Sequence, residues 1–136
     1  MKKIHIITAL ILFFTISCID SYEDRIIGVW QATNIETDHK IAREKKAQYH
    51  RRLREFAQKL SYSFRLDSVY NKRIESELER GTYDVRGDYL YIKPQDARKG
   101  DSLFIEKLSA DKLILTVDNS DGSIMKFHFK KEQYNQ

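Results

Sequence analysis

Cysteine and glycine are scarce in this chain of 136 residues, and each scarcity excludes a class of protein. The single cysteine, Cys18, cannot support a disulfide framework, and only five glycines leave no glycine-rich loop that could hold a phosphate. There is no Gly-x-Ser-x-Gly motif, and the four histidines share no short ligand motif with a carboxylate or thiolate. We therefore expect no enzymatic activity, no metal site and no cofactor.

Long apolar runs are also missing. The one clear run, residues 4–16, is shorter than the roughly 20 residues that a membrane span needs. Two lysines precede it, and a serine separates it from Cys18, so residues 1–17 resemble the signal peptide of a bacterial lipoprotein. The resemblance implies a lipid on Cys18, a flexible polar tether over residues 18–25, and anchoring in the cell envelope, with the outer membrane favoured. The alternative for Cys18 is a buried thiol behind an ordinary secretory signal.

Charge is unevenly distributed, although the formal net charge is only +4. Residues 40–59 are strongly basic, and apolar side chains recur there at helical spacing. The pattern predicts an amphipathic helix over about 38–60, with Thr37 or Asp38 as its N-cap. Its apolar stripe comprises Ile41, Tyr49, Leu53, Phe56, Ala57 and Leu60.

The basic face of this helix includes Arg51, Arg52 and Arg54. Either this face is simply solvated, or it meets an anionic membrane surface or an acidic partner protein. Nucleic acid is disfavoured as a partner of an exported protein.

Outside this helix, apolar and polar residues alternate with a period of two, which is typical of strands. Turns are predicted at Asp67–Ser68, at Gly87–Asp88 and at residues 119–122. In the run 69–80 the predicted inward residues are Tyr70, Ile74 and Leu78. About eight strands result, as in an up-and-down barrel or a sandwich. They cover residues 26–36, 61–66, 69–80, 82–86, 89–93, 102–108, 112–118 and 124–131.

Gly28 and Trp30 form a Gly-x-Trp pair at the head of this series of hairpins, and the last strand ends in basic residues. These features resemble the lipocalin-like domain, in particular the small lipocalin-like lipoproteins of Bacteroidota. The resemblance implies that residues 26–136 form an eight-stranded antiparallel up-and-down barrel, with the helix inserted after the first strand. It also implies that Trp30 closes the barrel floor and that Lys130 or Lys131 covers its ring.

In lipocalin-like folds a bound ligand lies inside the barrel, where this sequence places bulky side chains. Two alternatives follow: these side chains fill the barrel, or they leave a cavity for a small apolar ligand. In the second case we expect Tyr62, Phe64, Tyr83 and Phe127 to contact the ligand. The predicted function is then an envelope-anchored, ligand-binding lipoprotein. The alternative is a non-enzymatic interaction or structural component of the envelope that uses the basic helix, residues 40–59. The inward aromatic residues are Tyr62, Phe64, Tyr70, Tyr83, Phe127 and Phe129.

Overall fold

Eight antiparallel strands close into a barrel in the computed structural model, which describes residues 22–133. Each strand pairs with the next, and the last strand pairs with the first. This arrangement confirms the predicted eight-stranded barrel with one inserted helix. The proposed signal peptide and Cys18 lie outside the described residues. The elements are α1 (Tyr22–Ile26), β1 (Gly28–Thr37), α2 (Arg43–Lys59), β2 (Leu60–Phe64), β3 (Val69–Ile74), β4 (Glu77–Arg86), β5 (Tyr89–Pro94), β6 (Asp101–Leu108), β7 (Lys112–Asp118) and β8 (Ile124–Lys131).

The hydrophobic core is the barrel interior, because alternate side chains of every strand point inward. Two of the three predicted turns, at Gly87–Asp88 and at residues 119–122, join neighbouring strands as short hairpin turns with a glycine at positive φ. Gly87 has a φ of +58° where Arg86 pairs with Tyr89, and Gly122 has a φ of +83°. Ser68, in the third, also has a positive φ of 63°. The largest fully buried side chains are Trp30, Tyr70, Phe64, Ile26, Leu90, Leu113 and Leu115.

One end of the barrel is a closed floor built around Trp30, which is fully buried. Its indole Nε1 donates a hydrogen bond of 2.7 Å to the carbonyl oxygen of Ile26. Lys131 Nζ lies 5.2 Å from the centroid of the Trp30 ring, within cation–π distance, whereas Lys130 is exposed on the outer surface. Of the two lysines expected over the ring, Lys131 takes this position, and the expectation for Lys130 is wrong. Gly28 has a φ of +136°, a backbone conformation that residues with a Cβ rarely adopt, so this position requires glycine.

The floor includes a helix that the sequence pattern does not reveal. Residues 22–26 form α1, although residues 18–25 were expected to be a flexible tether and Ile26 to begin the first strand. Ile26 is fully buried, and the carbonyl that it offers to Trp30 lies at the helix end. The helix is too short to be stable alone, so burial of Ile26 against the floor explains it better than local propensity does.

The hairpin between β3 and β4 also differs from the prediction. A single strand was expected over residues 69–80, but the chain reverses at Glu75–Ser76, and Ile74 pairs with Glu77. Glu75 adopts a φ of +56°, and its N–H donates to the Lys59 carbonyl at 3.1 Å. The reversal shifts the inside–outside alternation, because the side-chain period of a strand is two. Leu78, expected to face inward, is therefore 59% exposed.

The inserted helix α2 begins at Arg43, later than expected, and packs against β1. Neither predicted N-cap residue caps it. Thr37 Oγ1 accepts a hydrogen bond from the N–H of His39, and Asp38 Oδ1 accepts one of 2.6 Å from the N–H of Ile124 on β8. At the other end, the side-chain amide nitrogen of Gln31 lies 3.2 Å from the Ala57 carbonyl oxygen. This contact satisfies a helix-terminal carbonyl and attaches α2 to the barrel wall.

Candidate functional site

An open cavity of about 820 Å³ lies at the barrel mouth, opposite the floor. Its volume is in the range of known small-molecule sites. It also extends over the outer face of β5–β7, where outward residues such as Tyr89, Phe104 and Asp118 line it. The inner part is mainly apolar and is lined by Leu60, Tyr62, Ile74, Ile92, Leu103, Leu115, Val117, Phe127 and Phe129.

Aromatic rings separate the cavity from the filled floor half of the barrel. The Tyr62 ring stacks on Phe64 at 5.6 Å and meets Phe129 edge-to-face at 5.6 Å between centroids. Below this layer, Phe64 packs edge-to-face on Tyr83 at 5.0 Å, and the Tyr83 hydroxyl donates to the Arg65 carbonyl. Each of the two alternatives for the interior therefore describes one half of the barrel. The floor half is filled, and the mouth half is hollow.

Three ionisable side chains point toward the interior near the mouth. Lys72 lies two residues beyond the buried Tyr70 on β3 and therefore shares its inward face. Glu79 pairs with Lys72 across β3–β4, and its Oε2 lies 4.0 Å from Lys72 Nζ. Asp101 pairs with the inward residue Ile92 at the start of β6. Charged groups seldom face a barrel core, so their position at an open mouth marks a candidate site.

Two buried tyrosine hydroxyls face this polar group, and they differ in their partners. Tyr70 Oη donates a hydrogen bond of 2.8 Å to Glu79 Oε1. Tyr62 Oη has no hydrogen-bond partner in the described part of the chain, yet no fully buried polar atom is left unsatisfied there. The Tyr62 hydroxyl must therefore open into the cavity. Burial raises the pKa of both tyrosines well above the usual value, and Glu79 raises each pKa further. Both hydroxyls remain protonated at neutral pH and can donate.

Sequence reasoning found part of this site. Of the four predicted ligand contacts, Tyr62 and Phe127 line the cavity. Phe64 and Tyr83 do not, because they pack together in the floor half. The predicted surface residues Arg51, Arg52 and Arg54 are exposed on α2 and do not line the cavity.

The charged residues of the mouth were missed. Glu79 reads as a solvated strand residue as long as residues 69–80 are taken for one strand, and Asp101 lies just before the predicted strand 102–108. A usable signal was the period of two after Tyr70, which places Lys72 on the buried face. The position of Glu79 follows only once the reversal at residues 75–76 is known.

Two histidines form surface pairs with carboxylates. His39 Nδ1 lies 3.4 Å from Asp121 Oδ2, and His128 Nε2 lies 3.2 Å from Glu36 Oε2. Within residues 22–133, no group of three or more histidine, cysteine or acidic side chains is placed to hold a metal ion. In the same residues, neither helix has the length and apolar character needed to span a membrane.

The closed floor, the eight antiparallel strands and the open-ended cavity define an up-and-down β-barrel with an internal site. The lipocalin-like domain family matches residues 26–115, and the chain belongs to this family. No curated protein matches the chain in sequence.

Three solved structures share the fold. A lipocalin-like protein from Bacteroides uniformis is 15% identical, with 79% of this chain and 99% of that chain covered and a TM-score of 0.53. A DUF4847 family protein from Bacteroides vulgatus is 12% identical, with 82% and 99% covered and a TM-score of 0.55. An uncharacterized protein from Bacteroides eggerthii is 15% identical, with 78% and 98% covered and a TM-score of 0.53. At these identities the likeness shows the fold, and it agrees with the predicted resemblance.

Proposed function

We propose that this protein is an envelope lipoprotein whose barrel binds a small hydrophobic ligand in the cavity at its mouth. The observation that carries the proposal is the open cavity of about 820 Å³, whose inner part lies in the mouth half of the barrel above an aromatic layer. The inner wall of this cavity is mainly apolar, and a concave, mainly apolar surface is typical of small-molecule sites. Binding of an apolar molecule there is favourable, because burial of apolar surface stabilises the complex.

The position of the N-terminal helix sets how the barrel would be oriented if Cys18 carries a lipid. The chain enters the barrel through α1, which lies at the closed floor. Cys18 stands four positions before Tyr22, and even a fully extended chain would bridge only about 14 Å. With a lipid on Cys18, the floor faces the membrane and the mouth faces away from it. In this orientation, the proposed site remains open to ligands from the aqueous side.

Native mass spectrometry of protein purified from its host cells tests ligand binding directly. We expect a co-purified small apolar molecule, which extraction into organic solvent then releases. Leu115 is 2% exposed and lines the cavity, so Leu115→Trp should fill the space and remove the molecule. Ile114 is its neighbour on the opposite face of β7, and Ile114→Trp is the matched control.

Far-UV circular dichroism checks that both variants keep the barrel. If Leu115→Trp does not fold, the smaller change Leu103→Phe replaces it at another cavity-lining position. A molecule that stays bound in a folded Leu115→Trp variant would show that the barrel mouth is not the binding site.

A second candidate function uses the exposed basic face of α2. Arg51 has one weak ion pair, with Glu55 at 3.8 Å, and Arg52 and Arg54 have none in the described part of the chain. These guanidinium groups are available to an anionic membrane surface or an acidic partner protein. Each basic residue near an anionic surface contributes about 1 kcal/mol.

Reversal of all three arginines to glutamate tests this role. The variant should no longer sediment with vesicles that contain anionic lipid, and its thermal stability should stay nearly unchanged. Reversal of exposed basic residues on the barrel, Lys93 and Lys112, is the control. Equal loss of sedimentation in both variants would point to net charge and not to this helix face.

A further inference from the structure

The charges that line the cavity are not balanced. Lys72 is the single cation of the lining, and its ammonium group is already paired with Glu79, which lies behind it. Asp101 and Asp118 also line the cavity, and neither has an ion-pair partner within residues 22–133. The mouth therefore has an excess of negative charge, although α2 beside it is basic.

The Tyr62 side chain adds a hydrogen-bonding group inside this acidic mouth. It is only 7% exposed, and its hydroxyl opens into the cavity without a protein partner. A phenol hydroxyl can both donate and accept a hydrogen bond. Because this hydroxyl is accessible from the cavity and has no protein partner in the described part of the chain, it can meet a polar group of a ligand.

Aromatic rings surround the same space. Phe127 and Phe129 stack at 6.5 Å between centroids, Tyr62 meets Phe129 edge-to-face, and Phe56 of α2 lies at the rim. The faces of such rings attract cations through their quadrupole. A carboxylate beside aromatic faces is therefore a suitable environment for an organic cation with an apolar body.

We propose that the cavity takes an amphiphile with an apolar body and a cationic amine at one end, the amine lying between the Asp101 carboxylate and the Tyr62 hydroxyl. The proposal rests on the proposed function, because it specifies the polar end of the ligand that the barrel binds. The apolar body occupies the space between Leu103, Leu115 and Phe127. A ligand with a carboxylate end would instead add a negative charge next to Asp101 and compete with Glu79 for Lys72.

Three probes with the same alkyl chain separate these chemistries: dodecylamine, dodecanol and dodecanoate. Each is titrated into the purified protein near neutral pH, below its micelle concentration, and affinity is measured by displacement of a fluorescent fatty probe. A charge-assisted hydrogen bond makes the amine bind about 10- to 100-fold more tightly than dodecanoate.

Matched variants locate the amine. Asp101→Asn keeps the shape of the side chain and should weaken dodecylamine about tenfold, without weakening dodecanol. Asp88→Asn removes the same charge at the exposed β4–β5 turn, outside the cavity lining, and should change amine affinity little. Tyr62→Phe should weaken the amine and the alcohol but leave the aromatic wall in place.

The outcomes distinguish this inference from the proposed function. If none of the three probes binds, the proposed function fails together with the inference. If all three bind equally, or dodecanoate binds best, the barrel is a ligand-binding site but the amine preference is wrong. Equal effects of Asp101→Asn and Asp88→Asn would show that general surface charge, and not the Asp101 position, attracts the amine.

Discussion

Loss of the hydroxyl group should lower the stability of the barrel at one of two neighbouring buried tyrosines and not at the other. Tyr62 and Tyr70 lie 6.2 Å apart between ring centroids, and both rings are buried. The Tyr70 hydroxyl donates to the Glu79 carboxylate at 2.8 Å, whereas the Tyr62 hydroxyl opens into the cavity without a protein partner. We expect Tyr70→Phe to destabilise the barrel and Tyr62→Phe to leave its stability almost unchanged.

The magnitude follows from the contact that Tyr70 loses. Hydrogen bonds to charged groups contribute roughly 1.5–3 kcal/mol. Glu79 is 39% exposed and keeps Lys72 within 4.0 Å, so water can take over part of the lost contact, and the lower end of the range applies. Tyr70→Phe should therefore lower the free energy of unfolding by about 1.5 kcal/mol, or Tm by roughly 6 °C for a domain of this size. Tyr62→Phe should change it by less than about 0.5 kcal/mol.

Urea denaturation followed by circular dichroism measures both changes. Glu79→Gln, alone and combined with Tyr70→Phe, provides a double-mutant cycle that isolates the pair. The pH dependence gives an independent measurement. The pKa of each buried tyrosine is raised above its usual value near 10. The stability that depends on the neutral phenol is therefore complete below pH 10 and is lost as the pH rises toward the raised pKa. Each phenylalanine variant should therefore lose less stability above pH 10. Equal destabilisation by Tyr62→Phe and Tyr70→Phe in urea would refute the assignment of the two hydroxyls.

Three further outcomes follow from other parts of the barrel. A Cβ at Gly81 would clash with the facing strand backbone, so Gly81→Ala should cost at least 1–3 kcal/mol in urea denaturation, and a loss below about 0.5 kcal/mol would contradict this. Lys131→Met should shift the fluorescence of Trp30, the only tryptophan, and cost about 1 kcal/mol, whereas the control Lys130→Met should do neither. A hydrogen bond from Lys126 lowers the pKa of Glu106. The contribution of the Glu106 carboxylate to stability is therefore present above the usual pKa of 4.5 and is lost as the pH falls through the lowered pKa. Glu106→Gln should flatten the stability curve there, and an unchanged curve would exclude this role.

Local pattern was sufficient for most of the strands. The period of two appears in nearly every strand because each has one face in the core and one in water. Gly87 and Gly122 marked their turns, since both positions need a positive φ that glycine adopts at little cost. The turn at Glu75–Ser76 lacks such a marker. Glu75 takes up a left-handed conformation there, with its N–H bonded to Lys59, and no pattern along the chain indicates that contact.

The sequence by itself determined the series of about eight strands and the inserted helix, because those depend on periodicity along the chain. The closed barrel and the floor position of Trp30 were expected from the resemblance to the lipocalin-like domain. Only the tertiary structure decided that Lys131 and not Lys130 covers Trp30, since the register of β8 against β1 sets which lysine faces the floor. It also decided the character of the mouth. Lys72, Glu79 and Asp101 come from three strands, and barrel closure and the reversal between β3 and β4 bring them to one end of the interior.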